Sequence, residues 1–80
     1  MRRSRIDIKA EIIEYSLKGI KKTELMYKAG LSFRQTKDYL PDLEKKGLLR
    51  RESTGNGGRP VYITSDEGRD ALKIYKEILY

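Results

Sequence analysis

The chain has 80 residues, of which 38% are charged, and its formal net charge is +6. A chain of this length forms one small domain, and small domains are marginally stable as monomers because they bury a lower fraction of their surface. It contains no Cys and no His, which excludes disulfides, zinc sites built on these residues and histidine-based catalysis, and indicates a reducing compartment. No apolar run reaches membrane length and no signal-peptide core is present, so we expect a soluble intracellular protein with no membrane partner.

The positive charge is distributed unevenly along the chain. Residues 1–63 contain 15 Lys/Arg and 8 Asp/Glu, whereas residues 64–80 contain 3 and 4. This asymmetry favours contact with a polyanion through residues 1–63 and a different role for residues 64–80. For charge alone, a basic surface that serves solubility is an equally good explanation. The high charged fraction without Cys or Trp is a mix also found in thermophilic proteins.

The N-terminal segment predicts a basic arm followed by a helix. The arm carries Arg2, Arg3 and Arg5. Ser4 is the expected N-cap, Asp7 lies in the first turn, and the helix is expected to end near Leu17. Two apolar stripes run along nearly opposite sides of this helix: Ile6, Ala10, Ile13 and Leu17 form one, and Ile8, Ile12 and Tyr15 form the other. A helix with two such stripes needs cover on both sides, which suggests a second subunit.

Residues 23–49 predict two helices joined by a tight turn. Thr23 is the expected N-cap of a short helix that runs to Ala29, and Gly30 supplies the left-handed residue that ends it. Two helices across a three-residue turn that contains Gly form a helix-turn-helix. The preceding pair, Lys21–Lys22, is placed to flank a phosphate, although an ordinary solvated pair of lysines explains it at least as well.

The second helix of this unit has one core face and one free face. Ser32 is its expected N-cap, Gln35 completes a capping box, and Gly47 ends it. The core face carries Thr36, Leu40 and Leu43, and the opposite face carries Arg34, Asp38, Pro41 and Lys45. Because an internal proline removes a backbone hydrogen bond, we expect a kink or a break over residues 37–41.

After Gly47 the pattern changes to two short strands. Residues 48–53 and 60–64 are predicted strands, and the Asn56–Gly57 pair between them is a strong hairpin signal. A hairpin after a helix-turn-helix is a wing, here residues 54–60. Arg50, Arg51 and Arg59 surround its loop. The glycine-rich tip lacks the strand–loop–helix context and the GK[ST] sequence of a nucleotide site.

The last segment predicts a helix with Thr64 as its N-cap and with Glu67 completing a capping box. Its apolar residues cover an arc of about 160°, wider than the roughly 100° that one core contact requires. These residues are Ala71, Leu72, Ile74, Tyr75, Ile78 and Leu79. The excess apolar arc indicates a second neighbour.

The chain resembles the small archaeal winged-helix DNA-binding proteins along nearly its whole length. The resemblance is carried by Lys21-Lys22-Thr23, Met26-Tyr27, Leu31-Ser32-Phe33, Tyr39-Leu40, Gly47-Leu48-Leu49, Tyr62, Thr64 and Gly68. It implies a chromatin-associated or regulatory protein that dimerises through its C-terminal helix. The last helix is too short for a long coiled coil, so the implied dimer is compact. Asp38 and Pro41 are further departures from the pattern.

These observations predict an α+β fold, mostly α: a winged helix with a three-helix helix-turn-helix core, a β-hairpin wing and a C-terminal helix. We expect a single domain over residues 1–80, in which residues 1–63 form the DNA-binding body and residues 64–80 the dimerisation helix. The predicted function is double-stranded DNA binding by a homodimeric, nucleoid-associated transcriptional regulator. Helix 33–46 would enter the major groove and wing 54–60 would meet the backbone or minor groove.

Specific roles follow from side-chain chemistry. Arg34 can pair with guanine and Gln35 with adenine, while the lysines and the wing arginines neutralise phosphates. The predicted DNA-binding residues are Arg2, Arg3, Arg5, Lys21, Lys22, Ser32, Arg34, Gln35, Lys37, Asp38, Arg50, Arg51, Asn56 and Arg59. The predicted dimer interface comprises Ile8, Ile12, Tyr15, Ala71, Ile74, Tyr75, Ile78 and Leu79. Asp38 either accepts from cytosine or forms a surface pair with Arg34.

Three other functions remain open at this stage. A non-specific architectural chromatin protein and a protein-interaction module share the same fold. A structured-RNA binder would be favoured if stacking aromatics were exposed, but we expect Phe33, Tyr39 and Tyr62 to lie in the core or at its rim. We expect no enzyme, because the carboxylates occur at helix-surface spacing. No metal site, cofactor or small-molecule ligand is evident.

Overall fold

The computed structural model describes residues 4–54 and 58–79, which form four helices and a three-stranded sheet. In chain order the elements are α1 (Arg5–Tyr15), β1 (Ile20–Lys21), α2 (Lys22–Lys28), α3 (Phe33–Lys45), β2 (Leu49–Glu52), β3 (Val61–Thr64) and α4 (Asp66–Leu79). The sheet is antiparallel with the order β1-β3-β2. This architecture confirms the predicted fold class and the hairpin after α3. The predicted contact residues Arg2, Arg3 and Asn56 lie outside the described residues.

Helix α1 lies at the centre of the molecule. Ile12 and Ile13 are fully buried, and Ile8 and Ala10 are nearly so. The helix packs against α4 and also against α2 and β3, so both of its apolar stripes contribute to the core of one chain. The prediction that Ile8 and Ile12 lie in a dimer interface is therefore wrong. It failed because the chain folds α4 back over α1 and supplies the second cover itself.

Two of the predicted helix starts are confirmed by reciprocal hydrogen bonds. The Ser4 hydroxyl accepts from the Asp7 amide, and the Asp7 carboxylate accepts from the Ser4 amide, both at 3.0 Å. At α3 the Ser32 hydroxyl accepts from the Gln35 amide at 3.0 Å, and the Gln35 side-chain oxygen accepts from the Ser32 amide at 2.9 Å. Each box satisfies two backbone donors that a helix start otherwise leaves without partners.

Two other predicted caps are wrong. Helix α2 begins at Lys22 instead of following Thr23, because Lys21 pairs with Val61 of β3 and so sets where the strand ends and the helix starts. Helix α4 is capped by Ser65, whose hydroxyl accepts from the Gly68 amide at 3.0 Å. Thr64 instead donates its hydroxyl to the Ile13 carbonyl at 2.7 Å, which ties β3 to α1.

Helices α2 and α3 end as the sequence predicts, whereas α3 is not interrupted at its internal proline. Gly30 and Gly47 have φ values of +63° and +77°, the left-handed conformation expected after α2 and α3. Helix α3 continues through Pro41, so the predicted break does not occur. Pro41 lies on the exposed side of α3, where the loss of one backbone donor is best tolerated.

None of the described helices combines the length and apolarity needed to cross a bilayer.

The start of α4 is packed tightly against the connection between α3 and β2. The Ser65 amide donates to the Leu48 carbonyl at 3.1 Å, and the Ser65 hydroxyl donates to the Gly47 carbonyl. A Cβ added at Gly68 would overlap the Leu48 carbonyl oxygen and the Thr64 methyl group. Glycine at this position therefore lets α4 approach the polypeptide backbone directly.

Candidate nucleic-acid interface

A groove lined by cations runs between α3 and the sheet. One part, of about 350 Å³, lies between Lys37 of α3 and Arg51 of β2. A second part, of about 210 Å³, lies at the root of the wing between Lys21 and Arg59. Both parts share Lys22, Arg51 and Tyr62 in their walls, so they form one continuous groove. We call it the basic groove; its cations are Lys21, Lys22, Lys37, Arg51 and Arg59.

Strand β1 brings the separate cations of the basic groove together. Lys21 pairs with Val61 across the sheet, which places it and Lys22 beside Arg59, two residues before Val61 in the chain. All three cations are exposed. Within residues 4–54 and 58–79, no carboxylate forms an ion pair with any of them. Their charge is therefore available to an anionic ligand.

Arg51 is held in place by a carboxylate on α3. Its Nε donates to Glu44 Oε2 at 2.9 Å, and the Arg51 side chain remains 58% exposed. Because the pair uses Nε, the two terminal nitrogens of the guanidinium are left for a ligand. Sequence analysis did not identify Glu44, since no local rule links two residues seven positions apart on different elements.

Tyr62 forms the floor of the basic groove. It lies on the middle strand, opposite Ile20 of β1 and Arg51 of β2, and its side chain is buried. Burial raises the pKa of the Tyr62 hydroxyl, the Glu44 carboxylate raises it further and Arg51 partly opposes both. The hydroxyl therefore stays neutral at physiological pH and adds no negative charge to the groove.

Arg50 lies apart from the basic groove. Arg50 lines neither part of this groove. It forms an ion pair with Glu52, with 3.4 Å between Nη2 and Oε1. The structure therefore does not bring together the arginines predicted around the wing as one set.

The residues on the outer face of α3 differ in their availability. Arg34 is exposed, and the described residues contain no ion pair between Arg34 and Asp38, so the surface pair considered from the sequence is not formed. The side-chain oxygen of Gln35 already accepts a hydrogen bond from the Ser32 amide in the capping box of α3. Bidentate recognition of adenine requires both the oxygen and the nitrogen of the side-chain amide. Gln35 therefore cannot recognise adenine in this way while it caps α3.

Asp38 and Arg5 line a second cleft, between α3 and the start of α1. This cleft has mixed charge: its lining is Arg5, Lys9, Asp38, Tyr39, Asp42 and Lys46. Asp42 lies 3.1 Å from Lys46 Nζ and 3.9 Å from Lys9 Nζ. Partial burial lowers the pKa of Lys9, whereas the hydrogen bond to Asp42 raises the pKa of Lys46. With two carboxylates present, this cleft is a poorer site for an anion than the basic groove.

Two aromatic side chains are exposed near the helix-turn-helix turn. Tyr27 is 87% exposed and Phe33 is 63% exposed. The prediction that Phe33 belongs to the core or its rim is wrong, because α3 buries a face centred on Thr36, Leu40 and Leu43 and leaves its first residue outside. Lys37 Nζ lies 4.9 Å from the centroid of the Phe33 ring, within the range of a cation–π contact.

The outer face of α4 is apolar. Ile74 and Ile78 are 57% and 62% exposed, and Tyr15 of α1 is 42% exposed. Ala71, Tyr75 and Leu79 are partly buried. Beside this face, Lys76 Nζ lies 3.4 Å from Glu14 Oε1 and links α4 to α1.

Comparison with known proteins gives consistent results for the fold. A family model described as winged helix-turn-helix matches residues 2–79. The structure is similar to Sso10a-2, a DNA-binding protein from Sulfolobus solfataricus, with a TM-score of 0.85 and 22% identity over 96% of this chain and 79% of that chain. It is also similar to a predicted DNA-binding transcriptional regulator from E. coli, with a TM-score of 0.65 and 22% identity over 89% of this chain and 75% of that one. A search of curated protein sequences finds no match.

A third similar structure is the transcriptional repressor CouR bound to a 23-mer DNA duplex. The TM-score is 0.74 and the identity 20%, over 98% of this chain and 56% of that chain. The present chain thus spans little more than half of the repressor. At these identities the likeness concerns the fold.

Proposed function

Because the chain belongs to the winged helix-turn-helix family, we propose that it binds double-stranded DNA and acts as a transcriptional regulator. The observation that carries this proposal is the continuous basic groove between α3 and the root of the wing. Cations along a groove neutralise phosphates and release condensed counterions, which supplies affinity independent of sequence. The fold neighbours include a repressor bound to a DNA duplex, which supports the same conclusion.

In this proposal the elements take different parts of the duplex. The exposed first turn of α3, with Arg34 on its outer face, enters the major groove, where an arginine can pair with guanine. Lys22, Arg51 and Arg59 contact phosphates on either side, and the wing follows the backbone or the minor groove. The one acidic group on the presented face of α3, Asp38, faces the mixed-charge cleft with Arg5 and Lys9, where it does not oppose the phosphates at the basic groove.

We expect duplex binding to weaken steeply with salt. Five groove cations, each releasing about 0.9 counterion on contact with a phosphate, give a slope of about −4 to −5 in a plot of log affinity against log salt concentration. Fluorescence anisotropy titrations with operator-like and random duplexes at several salt concentrations measure this slope. A sequence preference would support a regulator, and equal affinities would favour the architectural alternative. Binding that does not change with salt would contradict the proposal.

A structured-RNA binder is the second candidate function, favoured by the exposure of Tyr27 and Phe33. Unstacked bases can stack on such rings. The basic groove is equally open to RNA, so the two candidates are separated by direct competition. Displacement of a bound duplex by single-stranded or hairpin RNA at lower concentrations than by unlabelled duplex would favour RNA. This arrangement does not favour a protein-interaction module, since protein docking does not need a groove lined by exposed cations.

We further propose a homodimer formed through the outer face of α4. Ile74 and Ile78 are exposed, and burial of each is worth roughly 1.5–3 kcal/mol. On the same helix, Ala71, Tyr75 and Leu79 are partly buried. Tyr15 of α1 is 42% exposed and stays part of the proposed interface, whereas Ile8 and Ile12 are excluded because they are buried. A two-fold axis at this face would place two α3 helices on one duplex at a fixed spacing.

Replacing Ile78 by Glu is expected to convert the dimer into a monomer, because a carboxylate would be buried without a partner. Sedimentation equilibrium at micromolar concentrations measures the mass. The matched control is Lys73→Glu, which changes charge on an exposed part of the same helix, beside Lys18 and Arg69, and should leave the dimer intact. A monomeric wild-type chain would refute the dimer.

A further inference from the structure

Phe33 is the first residue of α3, and most of its ring is in solvent. The side chain is 63% exposed, although an aromatic ring is among the side chains that gain most from burial. The Ser32 capping box fixes the backbone on which it stands. The ring therefore projects from a rigid helix start and is not part of a mobile loop.

Phe33 lies at one end of the α3 flank that borders the basic groove. Lys37, one helical turn further on, lines that groove, and its Nζ lies 4.9 Å from the centre of the Phe33 ring. The cation covers the ring from one side and leaves the rest of it open. An apolar surface thus adjoins a row of cations at the end of the helix that meets the major groove in the proposed function.

We propose that Phe33 contacts the C5-methyl group of thymine in the major groove, so that the chain prefers an A·T pair at this position. The inference rests on the proposed binding of duplex DNA. Thymine alone among the four bases presents an apolar group on its major-groove edge, and phenylalanine is one of the side chains that contact it. Neither Arg34 nor Lys37 can perform this reading, because charged donors favour guanine.

The state of Gln35 supports the same assignment. Gln35 is the residue of this turn whose chemistry suits adenine, but its side-chain oxygen accepts from the Ser32 amide at 2.9 Å. Using that oxygen for adenine would leave the cap of α3 incomplete. At the first turn of α3, an A·T pair is therefore recognised through the contact of Phe33 with the methyl group of thymine and not through a hydrogen bond to adenine.

The test compares two duplexes that differ only in this methyl group. One is an alternating dA–dT duplex, and the other carries deoxyuridine at every thymine. Burial of one methyl group is worth about fourfold in affinity, so the wild-type chain should bind the thymine duplex about fourfold more tightly for each methyl contacted. Phe33→Ala should bring this ratio close to one, and Phe33→Leu should retain part of it. Fluorescence anisotropy at fixed salt measures the affinity of each of these three proteins for both duplexes.

Arg59→Ala is the matched control. It removes a groove cation, so it should weaken binding to both duplexes equally and leave their ratio unchanged. Circular dichroism melting verifies that Phe33→Ala folds, as expected for an exposed residue. Equal wild-type affinity for the two duplexes, or a ratio that Phe33→Ala leaves intact, would overturn the inference while duplex binding itself stands. Failure to bind either duplex at low salt would overturn the proposed function and this inference with it.

Discussion

Replacing Lys21, Lys22 and Arg59 together by Ala is expected to weaken duplex binding about a thousandfold at moderate salt. Each cation is exposed and has no ion-pair partner among the described residues, so its full charge is available to a phosphate. A hydrogen bond to a charged group is worth about 1.5–3 kcal/mol, which is tenfold or more in affinity for each contact. The slope of log affinity against log salt should also become shallower by about 2.7. Anisotropy titrations over a range of salt concentrations give both quantities.

The matched control removes the same charge from another surface. Lys18, Arg69 and Lys73 line a cleft between α1 and α4, and their replacement by Ala leaves the basic groove intact. We expect this triple variant to lose less than about tenfold in affinity, through the reduced net charge alone. Equal losses in the two triple variants would show that binding follows net charge and not the basic groove.

The sequence predicts those parts of the fold that depend on neighbouring residues. The capping boxes at Ser4 and Ser32 need only a residue three positions further on, and the left-handed Gly30 and Gly47 end their helices where the apolar period stops. Each of these features depends only on residues within about one helical turn of one another. Where a residue distant in the chain intervened, the same local rules gave the wrong cap: Val61 pairs with Lys21 before α2, and the Ile13 carbonyl accepts from the Thr64 hydroxyl.

The candidate site was predictable in composition but not in arrangement. Its cations were identified from their positions around the wing, at the start of α2 and on α3. The approach of Lys21 and Lys22 to Arg59 depends on the pairing of Lys21 with Val61 across the sheet, and Arg50 is not part of the groove. The Glu44–Arg51 pair and the floor at Tyr62 join elements distant in the chain, and no local pattern encodes such contacts.

The exposure of Ile8 and Ile12 was mispredicted for a related reason. Periodicity correctly gave two apolar stripes on α1, but it cannot say whether the second cover comes from the same chain or from a partner. The contacts of α1 with α4, α2 and β3 of the same chain supply this cover. What remains for a partner is the smaller face around Ile74 and Ile78.

Replacing Gly68 by Ala is expected to destabilise the fold by about 2 kcal/mol. The new Cβ would overlap the Leu48 carbonyl oxygen, and this oxygen also accepts from the Ser65 amide. Overpacking typically costs about 1–3 kcal/mol, and we expect the upper end of this range because the new Cβ meets a backbone oxygen. The gain in helix propensity of about 1 kcal/mol offsets part of this cost and leaves about 2 kcal/mol. Thermal unfolding should show a melting temperature lower by roughly 8–16 °C for a domain of this size.

Asp70→Ala is the control for this variant, because Asp70 is an exposed residue of the same helix and its replacement should change stability by no more than about 0.5 kcal/mol. The overlap at Gly68 pushes on Leu48, which leads directly into β2 and Arg51. Relief of the overlap by movement of this connection would shift Arg51 relative to Glu44 and weaken DNA binding as well. A Gly68→Ala variant with wild-type stability would mean that α4 can retreat from Leu48 without cost, and that the Ser65–Leu48 bond contributes little to the junction.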